Sequence, residues 1–249
     1  AIAGSLLLAL VPRLGVRFRW SREEVGLWAV NGLFAFTASY TIVYWAELHI
    51  PSGLTALLFA TYPLFVALIA HFALPGERLG SGATAGILLG FAGVAVIFSD
   101  DLRLLGGAGA REVALVMLLS PFVWAVATVA VKRWGAGIHP LSLTAVPMLL
   151  TAAIVGALAL VYERQATIVF DLRSVGALLY LAVLGSGVTF TTYYWMLAHV
   201  PATRLALIAY TIPIIAVIVG ALLFQEPVRP LVVVGGALVL LGVAVVTRR

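Results

Sequence analysis

Eight apolar blocks of roughly 17–23 residues, separated by short polar segments, constrain this chain more than any other feature of its sequence. A helix needs about 20 apolar residues to cross about 30 Å of hydrocarbon. Lipid holds no water to satisfy backbone N–H and C=O groups, so such blocks fold as spanning α-helices. The predicted spans are Val25–Glu47, Gly53–Leu74, Ala83–Phe98, Val113–Val131, Leu141–Tyr162, Val175–Trp195, Leu205–Phe224 and Leu231–Val246. An apolar stretch from Ala1 to about Pro12 is too short to span and lacks the charged head of a signal peptide. Connections of only about 5–14 residues make neighbouring helices antiparallel and leave no room for a soluble domain.

Only 10% of the residues are charged and mean hydropathy is +1.14, too little charge for a water-facing globular surface. The lipid bilayer is therefore one partner. The net charge of +5 raises the question of nucleic acid, but the basic residues are scattered between spans, so no nucleic-acid partner is expected. The chain has no Cys, which excludes disulfides, thiolate metal sites and a cysteine nucleophile. No glycine-rich turn is followed by Lys-Ser or Lys-Thr, so nothing points to a phosphate-cradling loop, and no cofactor or metal is expected.

An internal repeat organises the spans. At a shift of 150, Tyr44-Trp45, His49 and Pro51 recur as Tyr194-Trp195, His199 and Pro201, and Thr61-Tyr62-Pro63 recurs as Thr211-Ile212-Pro213. One deleted residue later the shift is 149, with Gly86 and Gly93-Val94-Ala95-Val96 returning as Gly235 and Gly242-Val243-Ala244-Val245. Ala9-Leu10-Val11 matches Ala159-Leu160-Val161, which makes the opening stretch the end of a helix equivalent to Leu141–Tyr162. On that reading about 40 residues precede Ala1. The fold class expected is all-α: a polytopic membrane protein of two inverted five-helix repeats, a ten-helix fold with the first helix and part of the second absent. The repeats divide at 1–107 and 108–249. Five is odd, so the second unit enters the membrane inverted, the architecture of secondary transporters.

Charge sets the orientation. With the C-terminus inside, that side receives Arg13, Arg17, Arg19, Arg22, Arg78, Lys132, Arg133, Arg204, Arg248 and Arg249, and the other side only Arg103, Arg111, Arg164, Arg173 and Arg229. The inner side is taken as cytoplasmic.

The run from Ala56 through Thr61-Tyr62-Pro63 to Leu68, then Gly76-Glu77-Arg78-Leu79 and a glycine-spaced helix, resembles the EamA repeat of the drug/metabolite transporter superfamily. Its second copy runs from Ala206 to Glu226-Pro227, and Phe122-Val123-Trp124-Ala125 fits the opening of the second unit. The resemblance covers the whole chain. It implies a ten-helix carrier with a central substrate cavity and alternating access, moving amino acids, other metabolites or toxic compounds, usually outward. Some members carry Glu immediately before the second Pro; this chain has Ile212, so no coupling role passes to that position.

Helical spacing selects candidates for a substrate cavity. Ser120, Trp124 and Thr128 stand at i, i+4 and i+8 on one stripe. Thr37, Thr41 and Tyr44 form another, with Tyr40 beside them; Thr189, Thr192 and Tyr193 mirror it, and Tyr210 with Thr211 answers Ala60 with Thr61. Helix-to-helix packing is the alternative for the hydroxyls, and an interfacial belt is at least as good a reading for Tyr44, Trp45, Tyr194 and Trp195. Pro63 and Pro213 interrupt long apolar helices and are candidate hinges, or static kinks. Glu77 and Glu226 recur at equivalent helix ends, where capping is favoured over proton carrying. Gly86, Gly90 and Gly93, like Gly235 and Gly242, suit close helix packing.

These features predict a secondary transporter, not an enzyme, in a prokaryotic inner membrane with a cytoplasmic C-terminus. It would export a small neutral or zwitterionic molecule, because a phosphorylated substrate would call for Lys or Arg in the cavity. A channel or other non-carrier helical protein is the alternative. The protein is expected as a monomer or homodimer.

Overall fold

The computed structural model describes residues 1–99, 109–162, 171–223 and 230–247, and among them all regular structure is helical. In chain order the helices are α1 (Ile2–Leu10), α2 (Arg22–Glu47), α3 (Ser52–Phe59), α4 (Tyr62–Ala73), α5 (Ser81–Ile97) and α6 (Ala110–Met117). They continue with α7 (Leu119–Trp134), α8 (Pro140–Tyr162), α9 (Leu172–His199), α10 (Ala202–Ala206), α11 (Ile208–Leu223) and α12 (Pro230–Thr247). Among the described residues six spans are long and apolar enough to cross a membrane: Arg22–Glu47, Ser52–Ala73, Ala110–Trp134, Pro140–Val161, Leu172–His199 and Pro230–Thr247. Ser81–Ile97 and Ala202–Ile215 are shorter apolar helices.

Among the described residues each of the eight expected spans is helical, and several begin two or three residues earlier than hydropathy places them. Polar first turns explain the difference. At the start of α2, Ser21 Oγ accepts the Glu24 N–H at 3.2 Å, so Arg22, Glu23 and Glu24 belong to the helix. The Glu24 side chain reaches back to the N–H groups of Arg19 at 2.7 Å and Trp20 at 2.9 Å. It thereby holds Trp20 at a left-handed φ of 53°, a conformation costly for a bulky residue.

The helices group into two compact units, each drawing on both halves of the sequence: residues 1–38 with 130–200, and residues 39–129 with 201–249. In the first unit α1, α9 and the first half of α2 pack on α8. Contact is close where glycine faces a leucine: a Cβ at Gly4 would lie 2.9 Å from Leu149 Cγ, and one at Gly32 only 2.8 Å from Leu150 Cδ2. In the second unit the tightest contact joins α5 and α12. A Cβ at Gly86 would lie 2.7 Å from the Gly242 carbonyl oxygen, and one at Gly93 would lie 2.6 Å from that of Gly235. Those glycines are repeat mates, Gly86 with Gly235 and Gly93 with Gly242, so each contact maps onto the other under the 149-residue shift. A two-fold relation between helices produces such reciprocal pairing. Without water to drive association, this close van der Waals contact holds the pair.

Among the described residues two helices carry a π-helical segment with i→i+5 hydrogen bonding: Asn31–Ser39 in α2 and Leu181–Val188 in α9. The second begins 150 residues after the first, so the deviation recurs with the repeat. Wider turns free carbonyls, and side chains take them up. The Thr151 hydroxyl donates to Gly32 O at 3.0 Å, and Thr189 Oγ1 donates to Leu184 O at 2.7 Å. A related exchange crosses from α2 to α8. Pro147 lies inside α8 and has no N–H for the Leu143 carbonyl one turn back; Asn31 Nδ2 donates to it instead, at 3.3 Å.

Candidate functional site

The second unit gathers aromatic rings from α2, α3, α4 and α7 into one wall, pinned by hydroxyl groups. The lower pin joins α2 to α7: Ser39 and Ser120 are buried, their hydroxyl oxygens are 2.7 Å apart, and Ser120 Oγ also reaches the Ser39 carbonyl at 3.1 Å. Because Trp124 follows Ser120 by one turn, the pin carries it to Tyr40, with ring centroids 5.7 Å apart and edge to face. Tyr44, one turn beyond Tyr40, stacks on it at 6.0 Å. The upper pin joins α4 to α7, where the Tyr62 hydroxyl lies 2.9 Å from Thr128 Oγ1. Phe59 bridges the two rows, 6.2 Å from Trp124 and 6.0 Å from Tyr62. Tyr40 and Trp124 stay half-buried and Tyr44 is 65% exposed, so the wall does not close on itself.

The named wall residues carry hydroxyls, an indole N–H and π faces, and none is acidic or basic. Ring faces attract a cationic ammonium, and hydroxyls replace water around neutral polar groups. Among the described residues no three His, Cys, Asp or Glu side chains come together to hold a metal.

The helix break near Pro63 supports this wall. The span Ser52–Ala73 is interrupted at Ala60 and Thr61, and Pro63 is buried in the first turn of α4. Thr61 donates its hydroxyl to the Leu58 carbonyl at 2.7 Å, which satisfies a backbone group at the break and turns Phe59 and Tyr62 toward α7. In the second repeat the break falls at Leu207, six residues ahead of Pro213, and Pro213 lies within α11. Thr211 Oγ1 reaches the Leu207 carbonyl at 3.5 Å.

Of the residues selected from sequence, Tyr40, Tyr44, Ser120, Trp124 and Thr128 come together in the wall, and Thr61 shapes its backbone. Thr41 is exposed on α2. Tyr210 is fully buried against Gly90 of α5, where a Cβ would lie 2.6 Å from its ring, and its hydroxyl donates to Ile87 O at 3.1 Å. In the first unit Thr37 donates to Thr151 Oγ1 at 3.1 Å, Thr189 bonds its own helix, and Tyr193 packs edge-on against Tyr194 at 5.4 Å. Thr192 lines an apolar cavity of about 500 Å³ between α1 and α9. Glu77 caps α10, its two oxygens accepting the N–H groups of Ala202 at 2.9 Å and Thr203 at 3.1 Å and the Thr203 hydroxyl at 3.1 Å. Glu226, its repeat mate, lies outside the described residues.

Sequence reasoning did not single out Ser39, Phe59 and Tyr62, nor the buried Glu24, Asn31 and Ser142. In the first unit Ser142 Oγ donates to Glu24 Oε1 and accepts Trp28 Nε1–H at 2.8 Å. Two signals were in the sequence. Ser21-Arg22-Glu23-Glu24 matches a capping box, and Phe59 and Tyr62 stand at i and i+3.

The family model of the EamA-like transporter family matches residues 1–99 and 112–248. An uncharacterized transporter of Archaeoglobus fulgidus is 27% identical over 252 residues, covering 100% of this chain and 86% of that protein. A protein of Streptantibioticus cattleyicolor named "probable terminal-alkyne amino-acid exporter" is 29% identical, covering 98% of this chain and 80% of its own length. An inner membrane transporter of Escherichia coli is 26% identical over 98% of this chain and 78% of its length. One solved crystal structure shares the fold at a TM-score of 0.83 and 22% identity, covering 99% of this chain and 84% of that one. The helical spans, the twice-occurring motif and the family match converge: the chain belongs to the EamA-like transporter family of the drug/metabolite superfamily and is a multi-pass membrane transporter.

Proposed function

We propose that this transporter exports small neutral or zwitterionic metabolites, amino acids or related compounds, by alternating access. The observation that carries the reading is the uncharged wall of Tyr40, Tyr44, Phe59, Tyr62 and Trp124 pinned by serine and threonine hydroxyls. Such a surface suits an ammonium and a neutral side chain and offers no cation to a phosphate. The amino-acid exporter among the relatives supports the substrate class.

The reciprocal contacts of Gly86 with Gly242 and Gly93 with Gly235 support two inverted repeats, the architecture on which alternating access rests. Loops assigned by charge to one membrane face also meet in pairs. In the first unit Lys132 Nζ donates to the carbonyls of Leu197 at 2.8 Å and Val200 at 2.9 Å; in the second, Glu77 caps α10. Both pairings support the assignment of these loops to one face, and the excess of Arg and Lys on that face favours a cytoplasmic C-terminus in a prokaryotic inner membrane. Production of the transporter in a bacterial host sensitised to amino acids and toxic analogues tests the proposal. Raised excretion of, or resistance to, a neutral amino acid is expected; resistance confined to phosphorylated or strongly anionic compounds would overturn it.

A further inference from the structure

In the first unit, the segment between α1 and α2 and the turn between α7 and α8 enclose a polar cavity of about 340 Å³. Arg17, Arg19 and His139 stand on its wall. Left-handed glycines bend both segments around it, Gly15 at φ +65° and Gly137 at φ +74°. The Arg19 guanidinium lies beside Gly137, where a Cβ would sit 3.4 Å from Arg19 Nη1. His139 Nδ1 accepts the Leu141 N–H at 3.2 Å, so the ring carries its proton on Nε2 and can donate it.

The acidic residue on this wall is already engaged. Glu24 is 2% exposed, with Oε2 taken by the N–H groups of Arg19 and Trp20 and Oε1 by the Ser142 hydroxyl. Two arginines thus line the cavity against one carboxylate whose charge is shared among three donors. Among the described residues neither guanidinium has an ion-pair partner.

The cavity sits where the spans Arg22–Glu47 and Pro140–Val161 begin, which is the level of lipid headgroups. Trp20, 70% exposed, and Leu14, 61% exposed, flank it with the apolar and aromatic surface expected at a membrane interface. We propose that this cavity binds a phosphate group, presented by the headgroup of an anionic phospholipid. Planar guanidinium groups match phosphate oxygens two by two, and basic pockets at helix ends suit anionic headgroups. The cavity and the aromatic wall share no residue, so the inference does not depend on the transported substrate.

Thermal melting of the purified transporter in neutral detergent tests this, with dioctanoyl phosphatidylglycerol, dioctanoyl phosphatidylcholine and inorganic phosphate as probes. Phosphatidylglycerol is expected to raise the melting temperature saturably and phosphatidylcholine to leave it unchanged. The double variant Arg17→Gln, Arg19→Gln should weaken that affinity about tenfold or more, whereas Arg22→Gln, on a neighbouring exposed arginine outside the cavity, should not. His139→Ala supplies a second reading should the double variant fail to fold; it too should weaken binding, with His139→Gln retaining more of it. Inorganic phosphate that stabilises and competes shows that the phosphate alone suffices; phosphate without effect beside active phosphatidylglycerol assigns the site to lipid. Equal stabilisation by phosphatidylcholine, or equal losses in the Arg22 and Arg17/Arg19 variants, would overturn the proposal.

Discussion

Trp124 is the residue on which the substrate reading turns, because it touches both Tyr40 and Phe59 and lies one turn from each hydroxyl pin. Replacing it by Ala removes a ring face worth about 1–2 kcal/mol to a bound ammonium, so transport efficiency should fall roughly tenfold or more while Trp124→Phe keeps much of it. Initial transport rates against substrate concentration decide the point. Residues whose polar groups serve the fold should behave otherwise. Asn31→Ala leaves the Leu143 carbonyl without its donor beside Pro147 and should cost about 0.6–1.7 kcal/mol, read as a lower melting temperature. Glu77→Ala uncovers two N–H groups of α10 and should cost about 1–3 kcal/mol by the same measurement. The stripe Ser120, Trp124, Thr128 was legible in sequence because helical periodicity puts i, i+4 and i+8 on one face. The partners Ser39 and Tyr62 were not, since which helix lies opposite that stripe depends on packing. Tyr210 shows the converse: its place opposite Ala60 in the repeat, next to Thr211, suggested a cavity, and Gly90 supplies a packing slot that only the fold reveals.

At the scale of elements, lipid enforces helix wherever the apolar blocks fall, so the spans could be read directly. Their first turns could not be placed from hydropathy alone, because Arg22, Glu23 and Glu24 look like loop by that measure and are held in the helix by Ser21. The π-helical segments had no compositional mark. They arise where the ladder slips by one residue, and their recurrence at Asn31–Ser39 and Leu181–Val188 becomes visible only with coordinates. Small-residue spacing was legible on both α5 and α12, though the reciprocal pairing of Gly86 with Gly242 and Gly93 with Gly235 was not. Gly93→Val puts carbon 2.6 Å from a carbonyl oxygen that belongs to a neighbouring backbone and cannot rotate away. The variant should lose about 1–3 kcal/mol or more, seen as a depressed melting temperature, whereas the same change at Gly236, which faces open space, should be nearly neutral.

For the whole molecule, the repeat and the charge bias together predict sidedness, and the chain's lack of cysteine makes it directly measurable. A cysteine at Leu48, 81% exposed after α2, should react with an impermeant maleimide in intact cells. One at Ala136, exposed between α7 and α8, should react only after the membrane is opened. The family and the helical architecture followed from patterns carried along the whole chain. The chemistry of the wall did not, because it is built from residues of three separate stretches, around Tyr40, Tyr62 and Trp124. Counterflow in liposomes containing the transporter measures what that wall selects. A neutral amino acid should exchange saturably and lose that exchange in Trp124→Ala; faster counterflow of a sugar phosphate than of any neutral amino acid would contradict the account.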